Sequence, residues 1–339
     1  MMKKNFKRII VWILISLLAQ VSVLFYAENV LFADASDKVE MKKLEKVQDK
    51  KEEIAIDIPS EAKEVKVSFN GKYISYIKDS QIHIVSTNDG STKTVKCDGS
   101  DPYYMWLSDR NRMIIGEKEN GSGTIKLFYY DGNRDEKEHY NDISTGDSKA
   151  KITDIQASTL TQVTYVKVSF SQTRSTLYRI GINNDLTKPK LKTSRIGDYY
   201  TLNREDVLIY KDTVSNNIYS TKNQALNIKG AGFTHILGVD SEDTIYIADG
   251  DENKAKTIYY GTIDTPIVSW KKEELKGPTN FKDIYISNKG GLYVNDNLRG
   301  AIMNIKEGTE VNYEGKFLSF YEGAVASIKD GKLKHTELK

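Results

Sequence analysis

An all-β propeller of seven blades behind an N-terminal transmembrane helix is the fold that the sequence predicts, and three observations in the body of the chain predict the ring. A unit of strand, small polar turn and strand recurs about every 42 residues, close to the length of one propeller blade. No amphipathic helical pattern separates the units, which excludes a parallel α/β sheet and suits a meander of antiparallel strands. A lone strand stands ahead of the first unit and the last unit is one strand short, so the two ends can complete one blade and remove an exposed edge.

Taken in chain order, residues 1–8 are a basic segment carrying Lys3, Lys4, Lys7 and Arg8. An uncharged run of 19 residues follows, Ile9 to Ala27. That matches the roughly 20 residues needed to span a bilayer core and exceeds the apolar region of an ordinary signal peptide. An uncleaved signal anchor is the expectation; Ala33, Asp34 and Ala35 before Ser36 leave a cleaved signal peptide as the alternative. Either way the remainder is exported. The basic cluster keeps the N-terminus cytoplasmic and places the body on the extracytoplasmic side of the cell membrane.

Residues 28–53 form a charged linker, and its apolar residues Val39, Met41, Leu44 and Val47 keep no heptad. A solvated stalk holding the body off the membrane is the reading. The propeller domain occupies residues 54–339 and opens with the lone strand Ile54 to Ile58, alternating in polarity and ended by Pro59.

The clearest unit is VKVSFNGKYISYIKDSQIHIVS, from Val65 to Ser86. Others begin near Tyr103, Thr153, Tyr199, His235, Lys282 and Lys316. Each passes from its first strand to its second through residues such as Asn-Gly, Ser-Asp or Asn-Lys-Gly, which tolerate the positive φ of tight hairpins. Second-strand markers fall at Ile74, Met113, Val163, Val207, Ile245, Leu292 and Ala324, spaced by 39, 50, 44, 38, 47 and 32 residues. Seven blades is the count; the uneven spacing is also compatible with six or eight. The final unit supplies three strands, Phe317 to Tyr321, Ala324 to Ile328 and Lys332 to Leu338.

Composition agrees with an all-β body. Hydrophobic residues are 39% and aromatics 10%, with 21 Tyr, which is too apolar for disorder and rich in strand formers. The net charge of +2 across 339 residues supplies no field that would favour nucleic acid. A single cysteine, Cys97, excludes an intramolecular disulfide and any multi-cysteine metal site.

The stretch SFNGKYISYIKDSQIHIVSTNDG, Ser68 to Gly90, resembles the repeat of TolB-like and dipeptidyl-peptidase-IV-like propellers, with Asn70 where those repeats carry Pro-Asp. The fifth and sixth units, GVDSEDTIYIADG and IYISNKGGLYVND, are similar to NHL-type repeats, Tyr246 matching Tyr293 and Asp249 matching Asp296. The resemblance implies a propeller across most of 54–338 and is nearly silent on ligand and reaction.

Catalytic chemistry is sparse. Peptidases with such propellers add a hydrolase domain with a G-x-S-x-G elbow; no such elbow occurs here and no hydrolase-sized segment follows the seventh unit. Neither peptidase activity nor a cofactor is expected. His83, His139, His235 and His335 share no metal-type spacing, and no metal is expected, though a propeller could gather ligands from separate blades. Asp249, Asp251 and Asn253 alternate as calcium ligands do, yet lack the glycine and the closing glutamate, so a hairpin loop is preferred.

Aromatic residues near the starts of inner strands are more suggestive. Tyr103, Tyr104, Trp106, Tyr199 and Tyr200 combine contact area with a polar tip and are the candidate contact surface, although the same residues suit packing between blades. The expectation is a membrane-anchored module that binds or scaffolds a protein, peptide or envelope polymer, not nucleic acid. The alternative is an enzyme of lyase or lactonase type working in the central channel, which would need carboxylates and histidine converging there.

Overall fold

The computed structural model describes residues 2–26, 55–222, 224–321 and 323–338. Two compact units divide the chain, Met1–Glu53 and Ile54–Lys339.

In the first unit Met2–Tyr26 form one helix of 25 residues. Its side chains are described at positions 12, 13, 15–24 and 26, and Trp12, Leu18, Val23 and Leu24 are among those exposed. Among the described residues no helix is both long and apolar enough to cross a membrane. The linker 28–53 and Ile54 lie outside the described residues.

The second unit is a ring of seven antiparallel sheets whose strands follow chain order. Blade 1 spans residues 63–95, blade 2 100–144, blade 3 151–187, blade 4 196–220, blade 5 233–280, blade 6 284–312 and blade 7 316–337. First strands of consecutive blades touch one another from blade 2 through blade 6, and the first strand of blade 7 touches that of blade 1. The first strand of each blade therefore lines the axis.

Six of the seven markers fall on second strands, and Val207 lies one residue before Leu208–Asp212. Those strands read as apolar runs, YISY in Tyr73–Lys78 and IYIA in Ile245–Gly250, because both faces are buried against neighbouring blades. The inner strands behave differently. In blades 1 to 5 and in blade 7 the inner strand carries a register shift against its partner, a bulge that sharpens twist.

Closure runs as the lone N-terminal strand requires. Asp57 bridges Lys332 antiparallel, Leu333 N–H donates to the Ile56 carbonyl at 2.9 Å, and Ile58 N–H donates to the Gly331 carbonyl at 2.8 Å. The chain's start thus completes the three strands of its last blade. Blade 4 is also short, and a single bridge, Tyr219 with Ala225, stands where its fourth strand would be.

Seven clusters of buried apolar residues hold the ring, one at each seam between adjacent blades. Each side chain buried there removes apolar surface from water on a face that no single blade could cover by itself.

Candidate functional site

One step recurs around the axis. A residue immediately before a buried apolar side chain at the inner edge of its blade is Tyr103 in blade 2, Asp154 in blade 3, Asp198 in blade 4, His235 in blade 5 and Asp283 in blade 6. Four of these five carry a carboxylate or an imidazole.

Asp154 is well held. Its Oδ1 accepts the Ile155 N–H at 2.9 Å and the Tyr103 hydroxyl at 3.3 Å, while Oδ2 accepts the Gln156 amide at 3.2 Å. Asp198 Oδ2 lies 3.0 Å from His235 Nδ1. The imidazole packs against the Phe281 ring at 3.9 Å, and its Nε2 is buried with no hydrogen-bond partner. The hydroxyl of Tyr199 is likewise buried, in reach of the Asp154 carboxylate.

Three lysines surround these groups. Lys66 donates to the Tyr104 carbonyl at 2.7 Å and lies 4.7 Å from the Tyr103 ring centre. Lys167 donates to the carbonyls of Ile196 at 2.8 Å and Gly197 at 3.2 Å. Lys211 donates to the Thr234 carbonyl. Each amine thereby ties one blade to the inner strand of the next.

Burial lowers the pKa of all three; Glu64 and Asp154 oppose it at Lys66, Asp154 and Asp198 at Lys167, and Asp198 at Lys211. Burial raises Tyr103, Tyr199 and Tyr200, with the charge of Asp154 adding to each. Burial also raises Asp283, against a hydrogen bond from Asn297 at 2.8 Å. The arrangement is a polar belt of carboxylates, lysines and tyrosine hydroxyls, with hydrogen-bonding capacity left unused at His235.

The expected aromatic residues divide. Tyr104 is fully buried and donates to the Glu64 carbonyl. Trp106 is buried, stacks on Tyr73 at 6.1 Å and donates its Nε1 hydrogen to Ser75 Oγ at 2.8 Å. Tyr199 is buried in the seam between blades 3 and 4. These three pack blades together. Tyr103 and Tyr200 are half-buried and stay beside the polar belt.

The other histidines do not join it. His83 stacks on Tyr76 at 5.2 Å, His139 pairs with Asp142 at 2.9 Å, and His335 meets the Tyr321 hydroxyl at 2.6 Å. Among the described residues no group of three or more His, Cys, Asp and Glu could hold a metal ion. Asp251 folds back on the N–H groups of Asn253 and Lys254, a hairpin loop as expected.

The sequence reading passed over Asp154, Asp198 and His235. The signal was present. An ionisable residue immediately precedes a buried apolar residue in Asp154-Ile155, Asp198-Tyr199, His235-Ile236 and Asp283-Ile284, and aligning the units on that step would have exposed the belt.

No known protein family and no curated protein matches the chain in sequence. Solved structures do match in shape. An oligogalacturonate lyase in complex with manganese aligns over 84% of this chain and 90% of its own, at 9% identity and a TM-score of 0.57. A prolyl endopeptidase aligns over 74% of this chain and 41% of its own, at 9% identity and a TM-score of 0.51, so the chain spans less than half of that protein. TolB from Acinetobacter baumannii aligns over 66% of this chain and 55% of its own, at 11% identity and a TM-score of 0.39. The first two likenesses are of fold, and they agree with the propeller resemblance read from the repeats.

Proposed function

We propose that the chain is a membrane-tethered propeller that binds a protein, peptide or envelope polymer on the extracytoplasmic side, through the polar belt at its axis. One observation carries this reading: the His235 Nε2 is buried without a partner on the inner strand of blade 5, its Nδ1 beside Asp198 of blade 4. An unsatisfied buried polar group costs about 1–3 kcal/mol, so a folded protein keeps one where a ligand or ordered water completes it. Support for the tether comes from the N-terminal helix, whose large apolar side chains point outward all around, next to four basic residues in the sequence.

The test is capture of envelope components by the full chain in a membrane mimetic, compared with His235→Gln and Tyr199→Phe. Capture lost at an unchanged melting temperature supports the axial site; capture retained by both variants removes it. Protease applied to cells stripped of outer layers should degrade the body and spare a short N-terminal fragment. Recovery of the intact chain from the cytosolic fraction would refute the tether.

A second reading, an enzyme acting at the axis, is favoured by the Asp198–His235 pair. A carboxylate on Nδ1 orients the ring and leaves Nε2 to take a proton. Turnover of a captured polymer, abolished in His235→Gln, would select it over simple binding.

A further inference from the structure

On the rim opposite the starts of the inner strands, a cleft of about 410 Å³ opens between blades 5 and 6, within the size range of small-ligand pockets. Its floor is built. Tyr246 and Tyr260 stack at 5.5 Å with 15° between their planes. The Tyr246 hydroxyl bridges Asp240 Oδ2 at 3.0 Å and the Gly290 carbonyl at 3.3 Å, joining the two blades. Trp270 closes one side against Gly261, where even a Cβ would lie 2.5 Å from the indole, so only glycine admits the ring.

Lysines outnumber carboxylates in the lining of this cleft. Lys306 lies 4.5 Å from the Tyr260 ring centre and donates to the Gly290 carbonyl at 3.0 Å. Lys271 lines the same cleft. Neither amine is matched by a carboxylate among the described residues. The carboxylate within the cleft, Asp240, is already committed: its Oδ1 accepts the N–H groups of Glu242 and Thr244 at 2.9 Å, and its Oδ2 the Tyr246 hydroxyl.

The corresponding cleft between blades 2 and 3, of about 260 Å³, supplies an internal control. It too holds a cation over a tyrosine, Arg112 at 4.1 Å from the Tyr129 ring centre. There the charges are neutralised, Arg112 by Glu138 at 3.0 Å and Arg110 by Asp109 at 2.7 Å.

We propose that the cleft between blades 5 and 6 binds an acidic carbohydrate, whose carboxylate or phosphate sits between Lys271 and Lys306 and whose hydroxyls meet the polar wall of Thr262 and Ser269. Asp240 is the one carboxylate in the lining, against Lys271, Lys289 and Lys306, so positive charge is in excess there and an anion is attracted to the cleft. The lysines are exposed, so the attraction is screened by salt. This site is separate from the axial belt and does not depend on it.

Calorimetric titration of the full chain in a membrane mimetic with glucuronate, inorganic phosphate and glucose tests the assignment. Saturable binding of an anion that weakens as salt rises, with no binding of glucose, is the expected result. Glucuronate alone would assign a carboxylate source and phosphate alone a phosphate source. Lys271→Gln and Lys306→Gln should each bind about tenfold more weakly. Arg110→Gln and His235→Gln should bind as the natural chain does. The proposal is overturned if neither anion binds saturably, if glucose binds equally well, if both lysine variants keep full affinity, or if Arg110→Gln loses as much as they do.

Discussion

The seam between blades 2 and 3 and the seam between blades 6 and 7 are both joined by short chain links, yet they are packed very differently. The first buries twelve apolar residues, among them Ile114, Leu127, Tyr140 and Val166. Among the described residues the second buries three, Ile302, Tyr313 and Val325, with Tyr293, Phe317 and Phe320 only partly covered. Local sequence explains the contrast. Gly116 leaves room for Ile152, whose Cδ1 would lie 2.0 Å from an added Cβ, so the strands of blades 2 and 3 interlock. The second strand of blade 7 instead turns Val325 toward blade 6, while Ala326 on its other face packs against blade 1, and large rings from blades 6 and 7 fill the remaining space at tilted angles, Tyr293 to Phe320 at 4.7 Å and Tyr285 to Phe317 at 5.0 Å.

The difference bears on function. Tyr103, Asp154, Asp198 and His235 sit on blades 2 to 5, where buried lysines also tie one blade to the next. A site assembled from several blades keeps its geometry only if those blades are rigidly docked. The tight part of the ring carries the belt, and the loose seam lies beside the blade that closes the ring.

The largest expected effect comes from breaking closure next to that loose seam. Removing residues 1–50 should leave a cooperatively unfolding body. Removing residues through Pro59 takes away the Ile56 and Ile58 contacts with blade 7 and exposes the edge of its last strand. Loss of cooperative unfolding, or aggregation, is expected in a thermal melt. Equal stability of the two truncations would show that closure is not required.

A pair of core truncations measures the contrast directly. Leu127→Ala, in the tight seam at a fully buried position, should cost about 3 kcal/mol in denaturant unfolding. Phe320→Ala, on a half-exposed ring of the loose seam, should cost about half of that despite removing a larger side chain. A greater loss at Phe320 would reverse the ranking of the two seams.

The finest effect is the order in which tyrosines ionise. Burial pushes Tyr285, at the loose seam, up to about 12. Burial pushes Tyr103 and Tyr140, at the tight seam, higher still. A folded pKa raised above the unfolded value near 10.0 contributes stability that is complete below about pH 10 and is lost as pH climbs past it. Between the two seams, the tyrosinate absorbance that Tyr285→Phe removes should therefore appear at lower pH than the absorbance that Tyr140→Phe removes. If Tyr140→Phe removed the earlier signal of the two, the seam assignment would fail.

Much of the ring was legible in the sequence because blades are local. Each second strand pairs with the strands beside it in the chain, so runs such as Tyr73–Lys78 and Ile245–Gly250 announce themselves as buried strands. The lone strand before Pro59 and the three-stranded final unit fixed how the ends meet, since an unpaired edge at both termini has one economical solution.

Position around the axis was another matter. Tyr104, Trp106 and Tyr199 are indistinguishable by residue type from Tyr103 and Tyr200, and successive residues on a strand face opposite neighbours, so only the docked blades decide which rings become core. The meeting of Asp198 with His235, 37 residues apart, and of Lys306 with Tyr260 depends on the same rotation from blade to blade. Sequence determines the strand pattern within a blade because its hydrogen bonds join near neighbours. Tertiary structure alone decides the sites, because each is made of side chains from different blades whose spacing is set by packing at the seams.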